Sequence, residues 1–113
     1  MWIDSMDMVL EKAEMERKFI LTLFHSHLKE EFCNIICGWS FSIFDKIIRE
    51  KSKGQAIKEQ DVQFVIKILT YGLTGIVVDW LEGGMMESHK KLCEQVRTLI
   101  GDSFEGAIQK FVK

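Results

Sequence analysis

Proline is absent from the 113 residues, which removes the commonest interrupter of a helix. Long apolar runs are missing as well. The longest, Ile76 to Val78 with its neighbours, is cut by Asp79, and this argues against a membrane span. There is little excess charge: 15 Lys and Arg stand against 17 Asp and Glu, for a formal net charge of −2. A domain that grips DNA by itself is usually basic on one face, and this chain is not. Cysteine is scarce and odd in number (Cys33, Cys37 and Cys93), and the opening Met1-Trp2-Ile3-Asp4 lacks the basic stretch and apolar core of a secretory signal. Free, mostly buried thiols in a reducing cytosol follow as the simplest setting. Strand-like alternation, internal repeats and low-complexity segments are also lacking. So are a Gly-x-Ser-x-Gly elbow, a Gly-rich phosphate loop and a His-Glu-x-x-His pair. These absences exclude the common hydrolase, nucleotide-binding and metalloprotease classes. They leave the expectation of one soluble, cytoplasmic, non-enzymatic domain without a cofactor, large enough to bury a core of its own.

What is present is helical periodicity. The sequence is 47% apolar, and its apolar residues recur at three- and four-residue spacing. Ile3, Met6, Val9, Leu10 and Ala13 predict a first helix, with Asp4, Asp7, Glu11, Lys12 and Glu14 on its other face. Phe19, Ile20, Leu23 and Phe24 predict a short second one. A boundary near His25-Ser26-His27 fits Ser26 as a cap before Glu30 and Glu31, and a single bent helix is the alternative. A third helix is expected from about Leu28 to Lys51. One stripe holds Leu28, Phe32, Ile35, Ile36, Trp39, Ile43 and Ile47, and a second holds Cys33, Cys37, Phe41, Phe44 and Ile48. Gly54 can take the left-handed cap after it.

The fourth helix, about Lys58 to Glu82, again carries two stripes. Val62, Val65, Ile66, Leu69, Leu73, Ile76, Val77 and Trp80 form the main one; Phe64, Ile68, Tyr71, Gly75 and Val78 form the other. Gly83-Gly84 stop it. Ser88 then caps a fifth helix towards Phe111, with Leu92, Val96, Leu99, Ile100, Phe104, Ala107, Ile108 and Phe111 facing inward. Two apolar stripes on one helix are more than a small bundle needs to cover, and the surplus points to an isologous partner.

Tyr71-Gly72, Gly75 and the run Asp79-Trp80-Leu81-Glu82-Gly83-Gly84-Met85, followed by a Ser88-capped helix with Leu92, Val96, Leu99 and Ile100, resemble the closing helices of TetR-family transcriptional regulators. The likeness covers most of the chain in layout and is specific over roughly Tyr71 to Ile100. It implies a five-helix all-α effector-binding and dimerisation domain spanning residues 1–113. The last two helices would form a four-helix bundle across a dimer axis. The helix-turn-helix half of the family has no counterpart before Trp2, so DNA would be reached only through a domain absent from this chain, as in a fragment of a regulator or a protein without that half. A homodimer seam is then expected at Gly72, Gly75, Val78, Asp79, Val96, Ile100 and Phe104. A small apolar or aromatic effector is expected against Trp39, Ser40, Phe41, Phe44 and Tyr71, although aromatics at helical spacing are more often plain core. Asp79 could pair with Arg97 or across the dimer. A free-standing helical interaction module is the rival reading. A metal carrier built on His25, Cys33 and Cys37 is a third, set against the plainer view of Cys33 and Cys37 as small core residues.

Overall fold

Two 24-residue helices, each about 36 Å long at 1.5 Å per residue, form the frame of the molecule. The computed structural model describes residues 2–100 and 104–113. Its elements are α1 (Trp2–Met15), α2 (Arg17–Phe24), α3 (Lys29–Ser52), α4 (Glu59–Glu82), α5 (His89–Ile100) and α6 (Phe104–Gln109). The fold is all-α, with six helices and no strand among the described residues. The helix expected from Ser88 to Phe111 is therefore present as two described pieces, and residues 101–103 between them lie outside the described residues. α1 and α2 are separated at Glu16, and the boundary expected near His25-Ser26-His27 is present as the turn at 25–28 between α2 and α3.

α3 and α4 run antiparallel, pinned at both ends by ion pairs. At one end Arg49 on α3 forks onto Glu59 of α4 through Nη1–Oε1 at 3.0 Å and Nη2–Oε2 at 2.8 Å. At the other, Lys29 on α3 meets Glu82 of α4. These exposed pairs fix register more than they add stability, and the Arg49 hydrogen bonds hold the Glu59 carboxyl below its ordinary pKa. Between them Ile36, Ser40, Phe44 and Ile48 of α3 are buried, as are Val62, Val65, Ile66, Thr70, Leu73, Val77, Trp80 and Leu81 of α4. The main α4 stripe thus faces the core as its spacing predicted. On α3 the seam is narrower than expected: Leu28, Ile35 and Phe41 are exposed. The buried positions are four residues apart, and Ser40 fits among them because its Oγ donates to the Ile36 carbonyl at 3.0 Å.

An aromatic cluster joins the rest to this hairpin. Phe44, fully buried, lies against Trp2 of α1 at 5.3 Å and Phe104 of α6 at 5.9 Å between ring centroids. α5 lies chiefly against α1. There the backbone N–H of His89 donates to Glu14 Oε2 at 2.6 Å, and Ser88 Oγ accepts the Lys91 N–H at 3.2 Å as the expected cap.

The α4–α5 joint is closed by a Schellman arrangement. The Met85 N–H donates to the Trp80 carbonyl at 2.8 Å and the Gly84 N–H to Leu81 at 3.0 Å. Gly84 takes φ +81°, and Met85 follows at φ +57°, a strained value for a residue with a side chain. Met85 is nevertheless buried, so core packing holds it there. Arg17 of α2 donates to the Gly84 carbonyl and ties this joint to a third helix.

The expectation that no segment is long or apolar enough to cross a membrane fails for α4, which passes that test by length and composition. The reason is its second stripe. Lys67 and Asp79 are the only charges from Val62 through Leu81, because both flanks of this helix are apolar.

Phe44→Ala is expected to cost about 3–5 kcal/mol and to lower the midpoint in a thermal melt followed by circular dichroism. Phe41→Ala, three residues away but exposed, should change stability by less than about 0.5 kcal/mol.

Candidate functional site

The second stripe of α4 is left largely uncovered by the protomer. Phe64, Ile68 and Tyr71 are 50%, 56% and 60% exposed, Gly72, Gly75 and Asp79 are exposed and Val78 is half-buried. Spacings of four, three and four place Phe64, Ile68, Tyr71 and Gly75 on one line along the helix. Phe111 touches Phe64 at 6.3 Å between ring centroids, and Lys67 Nζ sits 5.9 Å from the Tyr71 ring. A Cβ added at Gly72 or Gly75 would meet nothing within 4 Å. Neither glycine is required by the packing of the protomer itself, although each costs helix stability relative to alanine.

The expected seam residues divide between surface and core. Gly72, Gly75, Val78 and Asp79 lie on the outward side of α4, but Val96 and Phe104 are buried inside the protomer at 4% and 3% exposure, and Ile100 is half-buried. The α5 helix turns Val96 towards α1 and presents Leu99, 75% exposed, to the outside. Asp79 and Arg97 are not paired with each other in the way considered above; Arg97 lies 3.5 Å from Asp4.

The five expected pocket residues do not converge. Ser40 and Phe44 are fully buried, Trp39 is half-buried against the core, and Phe41 and Tyr71 point outward. None of them lines either described cavity. One is a groove of ≈ 280 Å³ at the α4–α5 joint, bounded by Ile76, Asp79, Trp80, Gly83, Met86, Glu87 and Leu92. The Trp80 indole N–H donates to the Glu87 carbonyl at 2.8 Å and fixes one wall. The other cavity, ≈ 410 Å³, lies along the outer face of α5 between Lys91 and Leu99.

Two features escaped sequence reasoning. Thr70 and Thr74, one turn apart on α4, carry Oγ1 atoms that are buried without a hydrogen-bond partner, whereas the apolar pattern drew attention only to their neighbours. Asp7 and Glu14 were read as solvated, yet both are half-buried against α5. The i, i+4 and i, i+7 spacing of the α1 carboxylates was the available signal. As for the thiols, Cys93 is buried, and burial, followed by the Asp7 charge, pushes its pKa up to about 11. Cys33 and Cys37 are half-buried free thiols on α3. Among the described residues they do not assemble with His25 into a three-ligand group.

The protomer is a helical hairpin with an open apolar flank, braced by shorter helices. Residues 1–102 match the family described as a transcriptional regulator C-terminal region, of TetR type. The chain belongs to this family of regulatory, non-enzymatic domains. Neither the curated proteins nor the solved structures contain a match.

Thr70→Val removes a buried hydroxyl that has no partner, and a gain of about 1 kcal/mol in unfolding free energy is expected from denaturant titration. A loss of that size would mean that the hydroxyl is satisfied.

Proposed function

We propose that this chain is the effector-binding and dimerisation domain of a cytoplasmic TetR-like transcriptional regulator, which reaches DNA only through a helix-turn-helix outside the chain. The observation that carries the dimer is the outward stripe of α4. Exposed Ile68 and Tyr71, beside glycines that no intramolecular contact requires, fit close approach of a second helix. Size and shape support it. The accessible surface is 7335 Å², against about 6,400 Å² expected for a compact monomer of 13.2 kDa. The radius of gyration is 15.3 Å, where about 13.3 Å is typical for 113 residues. The seam in this reading runs along Ile68, Tyr71, Gly72, Gly75, Val78 and Asp79, with Leu99 in the place once assigned to Val96 and Phe104.

The effector part of the proposal rests on the family and on two polar clues in apolar surroundings: the unpartnered Thr70 and Thr74 hydroxyls, and the Asp79 edge of the groove beside Trp80. Pockets of this kind are mainly apolar with a few placed polar groups. A small apolar or aromatic molecule fits that balance. The groove at the α4–α5 joint is open to solvent, and a second protomer would supply its missing wall.

Molar mass from light scattering at low micromolar concentration is expected to be that of a dimer. Ile68→Glu and Gly75→Leu should each raise the dimer dissociation constant roughly tenfold or more, with circular dichroism unchanged because both sites are exposed in the protomer. A monomer at every dilution would replace this reading with that of a module that uses the same stripe to bind a different protein.

A further inference from the structure

The structure assigns a divalent transition-metal site, of the zinc class, to Asp7 and Glu11 of α1 together with His89 at the start of α5. The three side chains offer ligand atoms that all lie within 4.8 Å of one another. Asp7 and Glu11 are one turn apart on the same face of α1. His89, 78 residues from Glu11 and 82 from Asp7, is brought to them by the packing of α5 on α1.

The orientation of the imidazole carries the argument. His89 Nδ1 lies 3.1 Å from Glu14 Oε2, an oxygen that also accepts the His89 backbone N–H at 2.6 Å. An ionised carboxylate can only accept, so Nδ1 carries the hydrogen, and Nε2 is directed the other way. There it faces Asp7 Oδ1 at 3.6 Å, which is too long for a hydrogen bond. Both His89 Nε2 and Asp7 Oδ1 are buried atoms without a hydrogen-bond partner, and the His89 side chain is only 9% exposed. With Nε2 unprotonated, its lone pair and the Asp7 oxygen oppose each other across 3.6 Å, and a cation between them relieves the repulsion, whereas a proton on Nε2 would make the contact an ion pair.

The gap suits a metal ion. Ligand bonds of about 2.1 Å in tetrahedral geometry separate neighbouring donor atoms by about 3.4 Å, close to the observed 3.6 Å. Glu11, which is exposed, supplies a third ligand by a rotamer adjustment of its carboxylate, and water completes the shell. A carboxylate on the far nitrogen of a ligating histidine is the usual second shell of such sites, since it fixes the tautomer and raises ligand basicity. Glu14 already stands there. The donor set, one imidazole and two carboxylates, suits zinc and its first-row neighbours better than calcium or magnesium. Charge points the same way: Asp7, Glu11 and Glu14 surround a single imidazole. The ion would clamp α1 to α5, a role separate from the α4 stripe and independent of the regulatory reading.

The test is zinc chloride titrated into chelator-treated full-length protein near neutral pH, read by calorimetry and by thermal melting. One ion per chain is expected, with a rise in the melting midpoint. Glu11→Gln alters an exposed side chain and leaves the fold intact, and it should weaken binding at least tenfold. Glu14→Gln should weaken it by roughly 10–100-fold as a second-shell change. His89→Ala should abolish it, but this residue is buried, so the Glu11 variant decides the matter if the His89 variant fails to fold. The proposal is overturned by the absence of stoichiometric binding. It is equally overturned by binding that Glu11→Gln and Asp7→Asn leave unchanged, or that only Cys33→Ser and Cys37→Ser remove.

Discussion

The packing of α4 along α3 is the constraint on which the rest of this domain depends. One flank of α4 supplies eight of the buried side chains; α5 is carried on α1, and α1, α2 and α6 pack on that hairpin. α6 reaches it through Phe104 on Phe44, and α1 through Trp2 on the same ring. Burial of these aromatic faces gives the frame its free energy, because apolar area removed from water is the main favourable contribution to folding. The terminal ion pairs, Arg49 with Glu59 and Lys29 with Glu82, act on register. They stand at opposite ends of the two helices, so a slip by one residue would break both.

The same helix explains how this regulatory fold carries a segment apolar enough for a bilayer. Its inner flank is consumed by the core and its outer flank is not. In the proposed dimer the outer flank is covered as well, and the composition of α4 then reads as that of a helix buried on two sides. The glycines on that flank contribute nothing to the protomer, which gives them meaning only in terms of what lies against it.

Much of this was legible in the sequence. Periodicity located the long helices nearly to the residue, separated the two α4 stripes and marked the Ser88 cap and the Gly83-Gly84 stop. Its failures share a cause. Phe41, Ile35 and Leu28 have the right residue type and roughly the right spacing, but α3 is covered on a narrower arc than its composition allows. Phe44 and Ser40 looked like pocket residues because aromatic and hydroxyl side chains line pockets; Trp2 and Phe104, both remote in sequence, turned the one into core, and the Ile36 carbonyl satisfied the other. Val96 and Phe104 looked like seam residues because the pattern shows that a position is buried without showing by what. The His89 neighbourhood was invisible for the same reason, since His89 lies 75 to 82 residues from the α1 carboxylates and meets them only through tertiary packing.

The dimensions of the molecule carry a last consequence. It measures 49 × 27 × 17 Å, and its short axis is about two helix layers, given interaxial distances of roughly 8–10 Å. Two layers in contact leave little room between them, and the two cavities found among the described residues, of ≈ 280 and ≈ 410 Å³, are open grooves. A ligand fully shielded from water would therefore need walls from two chains. In that circumstance ligand affinity and self-association are one linked equilibrium: each stabilises the other by the same free energy, and the apparent affinity for the small molecule becomes a function of protein concentration.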